Sequence, residues 1–272
     1  MATVGRPPRE FHEYLISPTR DSHISHDEYL LSPASAVLKY TVEAKSAIDI
    51  CIRRFKNESN QMTPDAKDAL QHIITAILPA IMGHFETYQR YFFAGIFELS
   101  PYLKDFDAQS FFKSLDKKAK VTIDPMRLAA YRGQGASSIG VLLADALPGW
   151  HSPSRVNDYF HCFGLSYLSE DACRRLNTLW QLRHSIVHTG GTLTLADSQK
   201  VCELTSLGEK QIVFEDNFIY EVARKLHKLV KEATENTETG FRARISSDID
   251  PQIMRSINRL FEVKSTHNAW LR

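Results

Sequence analysis

Nine consecutive residues, Arg183-His184-Ser185-Ile186-Val187-His188-Thr189-Gly190-Gly191, set a permanent cation and two imidazoles within one short stretch of a 272-residue chain. A guanidinium stays charged near neutrality and grips a phosphate through two parallel hydrogen bonds, whereas an imidazole is the side chain best suited to carry protons at physiological pH. A phosphate clamp beside a proton carrier is equipment for cleaving RNA. Imidazoles four residues apart would also suit zinc, but Ser185 follows the first His where a zincin helix carries Glu, and Cys51, Cys162, Cys173 and Cys202 form no close pair. His161-Cys162 would add ligands only if the fold carried them to His184 and His188. No metal and no cofactor is expected.

One helix has to hold these groups. Ser169 is placed to cap it, Glu170 and Asp171 suit the positive end of its dipole, and Gly190-Gly191 supplies the stop. Ala172, Leu176, Leu179, Trp180 and Val187 recur at three and four residues and mark one buried stripe. At about 100° per residue Arg183 falls inside that stripe, where an apolar side chain is expected. A charge so placed needs a partner. If the partner is an acid of the same subunit, such as Glu86 or Asp145, Arg183 ties two helices together. If the stripe instead opens at a subunit interface, Arg183 awaits a phosphate. His184 and His188 share one flank, and the step from Arg183 to His188 covers about 7.5 Å of rise and about 140° of rotation. One helix therefore aims cation and imidazole apart. Two copies packed antiparallel about a two-fold axis would turn both pairs onto one phosphodiester, so the active unit expected is a homodimer.

The run Leu176-Asn177-Thr178-Leu179-Trp180-Gln181-Leu182 leads into the motif, and Thr189-Gly190-Gly191-Thr192-Leu193 follows it. Over this stretch the chain resembles the HEPN superfamily, whose signature is a helix bearing Arg, a polar residue, three variable and mostly apolar residues and His, often before small residues. The likeness is closest to the larger HEPN domains of bacterial defence and toxin systems. It implies a helical bundle that dimerises through the motif helix and acts as a metal-independent endoribonuclease. Arg183 and His188 then match the catalytic pair, and His184 fills the adjoining polar position. His188 or His184 would take the proton from an RNA 2′-hydroxyl while Arg183 stabilises charge on the phosphorus oxygens, leaving a 2′,3′-cyclic phosphate. Some members carry, two positions after the motif His, a Tyr that a partner nucleotidyltransferase modifies; Gly190 stands there, which argues against control by tyrosine adenylylation. The implied setting is a toxin-antitoxin or antiphage abortive-infection system, with a cognate antitoxin or sensor protein as a further partner.

Lys and Arg number 33 against 32 Asp and Glu, a net charge of +1 at pH 7. No global positive field gathers nucleic acid, so RNA binding must rest on a local patch. Lys117, Lys118, Arg127 and Arg132 are the candidates for it, set against the plainer reading of a solvated face. Scattered cysteines, a polar Met1–Glu10 and no apolar run near the roughly 20 residues that span a bilayer give the expectation of a cytoplasmic protein with no membrane partner.

The rest of the chain reads as helices. Residues 1–32 look like a tail or docking arm, 33–238 like the helical domain and 239–272 like a C-terminal helical extension. Pro33 begins a helix reaching about Lys56, with Val37, Tyr40, Ala44, Ala47, Ile48, Cys51 and Ile52 inward. Thr63-Pro64 caps and starts a second, which Pro79 should kink or split; its aromatic series from Phe85 to Phe97 reads as core rather than as a base-stacking surface. Shorter helices are expected at Ala108–Lys117, Pro125–Tyr131, Ile139–Leu147 and Pro153–Phe163, with a Lys-rich turn at 117–120 and a flexible turn at Gly133-Gln134-Gly135. After the motif a short strand at Gln211–Phe214, a long helix capped by Asp216, a linker at Thr234–Gly240 and a last amphipathic helix over Pro251–Glu262 complete the reading. The fold class expected is mainly α, a HEPN-like helical bundle with N-terminal arm and C-terminal helical extension. The function expected is RNA cleavage at a dimer interface; the alternative is a non-catalytic HEPN-like interaction or regulatory module in which Arg183 is a structural ion-pair residue.

Overall fold

Thr63 accepts a hydrogen bond from the Ala66 N–H at 3.2 Å and Pro64 sets the first turn, so the chain's longest helix starts where these two residues dictate. In the structure, a computed structural model that describes residues 26–121, 126, 129 and 139–264, the architecture is mainly helical. The helices are α1 (His26–Leu31), α2 (Pro33–Phe55), α3 (Pro64–Leu99), α4 (Ala108–Ala119), α5 (Ile139–Ala146), α6 (Pro153–His161), α7 (Glu170–His188), α8 (Leu195–Ser198), α9 (Phe218–Ala243) and α10 (Pro251–Leu260). Between α7 and α9, strands β1 (Thr192–Leu193) and β2 (Lys210–Gln211) pair antiparallel, with Thr192 opposite Gln211 and Leu193 opposite Lys210.

Helix α3 is the central post. Its 36 residues give a rod of about 54 Å, against which α2, α5, α7 and α9 pack. Leu70, Ile74, Leu78, Ile81, Phe85, Tyr88, Phe92, Phe93 and Ile96 are fully buried along it. The aromatic series is core, as its helical spacing implies. Phe92 meets Phe160, Tyr167 and Phe261, while Phe93 meets Trp150, Tyr159 and Phe163. Rings held edge-on or tilted in this way add about 0.5–1.5 kcal/mol per pair to the area they bury.

Several local expectations are corrected. Helix α3 runs unbroken through Pro79, because the one lost backbone bond is outweighed by Leu78, Ile81 and Met82, all fully buried on either side of it. The linker expected at 234–240 lies inside α9, and the boundary at 238 with it. Threonine explains this: the Thr234 hydroxyl donates to the Val230 carbonyl at 2.7 Å and that of Thr237 to the Ala233 and Ser166 carbonyls at 2.9 and 3.0 Å, so both side chains are satisfied and buried. Asn217, not Asp216, precedes the first turn of α9; the Asp216 carboxylate accepts from Gln71 Nε2 at 3.5 Å. The strand lies at Lys210–Gln211 rather than 211–214, Ala47 is exposed, and Lys117 and Lys118 belong to the last turn of α4 rather than to a turn beyond it. Of the arm read at 1–32, residues 26–31 form α1, whose Tyr29 is buried; residues 1–25 lie outside the described residues, as do most of the Pro125–Tyr131 helix and the Gly133–Gly135 turn. The last helix lies over the bundle, burying Ile257, Leu260 and Phe261. All four cysteines are free, and among the described residues no helix is long and apolar enough to cross a membrane.

Candidate functional site

Helix α7 carries Arg183, His184 and His188. Its start is fixed by Ser169, whose hydroxyl oxygen accepts from the Ala172 N–H at 3.2 Å, with Glu170 and Asp171 in the first turn. Its end is fixed by a turn. The N–H groups of Thr189 and Gly191 both donate to the Ser185 carbonyl at 3.1 Å, and Gly190 and Gly191 take φ values of +62° and +82°. Side chains resist that left-handed backbone. At Gly191 a Cβ would also come within 2.9 Å of Gln211 Nε2 on the paired strand.

The apolar stripe of α7 is buried at Leu176 and Trp180, half-buried at Arg183 and exposed at Val187, which is 48% accessible. Val187 is therefore not a core residue. The physical reason is that the main core reaches the last turns of α7 from another side of the helix, where Leu182 and Ile186 pack against it. Gln181 and Ser185 are buried there, and Leu182 leans on the small cluster of Leu193, Val201 and Leu204. The stripe thus runs out of the bundle into solvent, and Arg183 sits at its lip.

Arg183 has no ion-pair partner among the described residues, and its Nε–H is buried with no hydrogen-bond acceptor. The two carboxylates considered as partners both bond Arg90: Glu86 at 2.6 Å and Asp145 at 3.4 Å. Long helical side chains lean back over the residues three and four before them, here Trp180 and Leu179, which fits the half-buried state of Arg183. Trp180 contributes a second buried donor without an acceptor, Nε1–H, and meets the His151 ring edge-on at 6.3 Å.

The two imidazoles are adjacent. Their ring centroids are 4.7 Å apart at 45°, with His184 half-buried and His188 exposed. Asp197, at the start of the returning chain, lies within electrostatic reach of His184. Its carboxyl is held below the ordinary carboxylate range, chiefly by the hydrogen bond from Lys200 at 2.7 Å; Thr194, the Lys200 charge and His184 add to this, and burial works against it. Asp197 is thus an anion beside the imidazole pair. The sequence carries no signal for it, because the direction in which the chain returns after the double-glycine turn is set by tertiary packing.

The expected RNA-binding residues fare differently. Lys118 is engaged by Asp158, Lys117 is exposed on α4, and Arg127 and Arg132 lie outside the described residues. A cleft beside α7, lined by Arg174, Leu179, Leu182, Phe218, Lys225 and Leu229 among others, includes none of the three motif side chains. Among the described residues no group of three or more His, Cys, Asp or Glu is arranged to hold a metal ion. Chemically, the lip of α7 offers a guanidinium for an anion and an exposed imidazole for a proton. No family model matches the chain, and no curated protein or solved structure does either.

Proposed function

We propose that this chain is a metal-independent endoribonuclease of the HEPN kind that works as a homodimer. The observation that carries the reading is Arg183: a half-buried arginine with no carboxylate partner among the described residues, on the same helix end as two adjacent imidazoles. An arginine kept for structure would be expected to hold an acid. His188 takes the proton from an RNA 2′-hydroxyl, with His184 as the other base within reach. The oxygen attacks its own phosphorus, the bond to the 5′-oxygen breaks, and that oxygen leaves with a proton from a second imidazole. Arg183 neutralises charge building on the non-bridging oxygens. The products are a 2′,3′-cyclic phosphate and a 5′-hydroxyl.

Rotation of about 140° between Arg183 and His188 keeps one helix from presenting both to one phosphate. Two α7 helices packed antiparallel would do so, with exposed Val187 as part of the apolar contact between them. A toxin or antiphage setting, with an antitoxin or sensor as partner, follows from the HEPN resemblance. Purified wild type and His188→Ala, matched by circular dichroism, are to be incubated with mixed RNA in EDTA. Cleavage by wild type that is lost in the variant is expected. Equal inactivity of both would instead support an interaction module.

A further inference from the structure

The last helix, α10, presents a second face with chemistry of its own. Its inner side buries Ile257 and Leu260, while Gln252, Arg255, Ser256, Asn258 and Arg259 are exposed and line one shallow depression. Gln252, Arg255, Ser256 and Arg259 fall at i, i+3, i+4 and i+7, hence on a single strip. Arg255 and Arg259 leave the helix about 6 Å apart along its axis.

What separates this strip from an ordinary solvated surface is that its own helix holds no acid: Arg53, Arg54 and Arg155, also without an ion pair among the described residues, share their helices with Asp49 and Asp158. Arg174, Arg175, Arg224, Arg242 and Arg244 each bond a carboxylate. Arg255 and Arg259 have no ion-pair partner among the described residues, and no Asp or Glu occurs between Pro251 and Leu260. Like charges one turn apart repel, costing a few tenths of a kcal/mol; the helix dipole favours Arg259, in the last turn, but no acid within the helix pairs with either residue. The flanking groups are donors as well. Asn258 Oδ1 accepts from Arg242 Nη2 at 2.8 Å, so its amide N–H₂ is not used in that bond, and the exposed Gln252 carries another such group at the start of the strip. Two fork-shaped cations with flanking amide donors and no acid match the oxygens of a phosphodiester backbone.

We infer that the outer face of α10 is a docking strip for single-stranded RNA, held through successive phosphates by Arg255 and Arg259. It goes beyond the cleavage site and does not depend on cleavage chemistry. Charge on these two residues supplies the affinity, so the binding is insensitive to base sequence and steeply dependent on salt.

The test uses the full chain and a labelled 2′-O-methyl single-stranded RNA, which has no 2′-hydroxyl proton to lose, so that binding is read without cleavage. Fluorescence anisotropy is followed from about 0.05 to about 0.2 M salt. Each phosphate contact to a single strand contributes about 0.7 to the slope of log K against log salt, so Arg255→Gln/Arg259→Gln should flatten the slope by about 1.4 and weaken binding more than tenfold at about 0.05 M. Across that salt range the gap between wild type and variant closes by about sevenfold. Arg255→Lys/Arg259→Lys should keep the slope, and Arg224→Gln, which removes an arginine paired with Glu221, should change nothing. An unchanged slope in the double Gln variant overturns the inference, as does a wild type that fails to bind. A parallel arm with phosphatidylserine vesicles decides between anionic surfaces: loss of vesicle binding with RNA binding intact also overturns it. Failure here with RNA still cut by wild type in EDTA leaves the α7 site standing, and the converse holds.

Discussion

Replacing Arg183 by Met separates a functional arginine from a structural one by the sign of a stability change. Met keeps an unbranched stem over Trp180 and Leu179 and removes the guanidinium. The buried Nε–H without an acceptor destabilises the native state by about 1–3 kcal/mol, and no ion pair among the described residues is lost with it. Part of that relief is offset by moving a half-exposed apolar tip into water, so a net gain of about 1 kcal/mol is expected. In a chain of this size that raises the melting temperature by about 2–4 °C. Urea unfolding followed by far-ultraviolet circular dichroism should show a higher midpoint with unchanged slope. Arg90→Met is the control. It breaks the contacts to Glu86 and Asp145 at 2.6 and 3.4 Å, and because those side chains are about a third exposed the loss should be about 1 kcal/mol. A stability gain with loss of RNA cleavage in Arg183→Met marks a residue kept for chemistry at a cost to folding. A loss of about 3 kcal/mol or more would refute the reasoning, since a loss of that size is what breaking a buried ion pair produces.

Three further outcomes follow from the fold. Thr237→Val is nearly isosteric and removes the buried hydroxyl that bonds the Ser166 carbonyl at 3.0 Å, so thermal unfolding should show a loss of about 0.5–1.5 kcal/mol, and a change within about 0.3 would contradict that role. Gly190→Ala meets no neighbouring atom within 4 Å, so any loss comes from its φ of +62° alone; about 1 kcal/mol is expected, with Asn restoring much of it, and equal losses for both would point to sterics instead. Burial holds the His84 imidazole below its ordinary value, with its Nδ1 2.7 Å from the Tyr29 hydroxyl. The unfolded chain then takes up this proton first, so stability falls as pH drops below about 6.5 towards the folded-state value. His84→Gln should soften the fall in melting temperature between about pH 7.5 and about pH 5.5, and an identical fall would remove His84 as its source.

Helix starts and the core were legible because their causes are local. Pro33, Thr63-Pro64, Pro153, Ser169 and Pro251 each mark a first turn where the sequence places it, and three-four spacing placed Phe85, Tyr88, Phe92 and Phe93 inside. What failed depended on distant packing. Thr234 and Thr237 look polar and linker-like, yet their hydroxyls close onto carbonyls of their own helix. Pro79 looks like a break, yet the flanking Leu78 and Ile81 hold the helix through it. Val187 fits the stripe by period, but period cannot say where the bundle beneath it ends. The spacing of Arg183, His184 and His188 was readable, whereas the absence of a carboxylate at Arg183 among the described residues and the approach of Asp197 to His184 arise only from tertiary placement. Arg255 and Arg259 are legible in the sequence as Arg repeated four residues apart in a helix without acids.

The chemistry of the RNA ends tests the central claim most directly. A defined RNA and its 2′-O-methyl counterpart are treated with wild-type protein in EDTA and the fragments weighed by mass spectrometry. The account predicts that only the RNA is cut, giving 2′,3′-cyclic phosphate and 5′-hydroxyl ends that disappear with His188→Ala. Cutting of the 2′-O-methyl strand, fragments ending in 3′-hydroxyl and 5′-phosphate, or cleavage undiminished in the variant would contradict it.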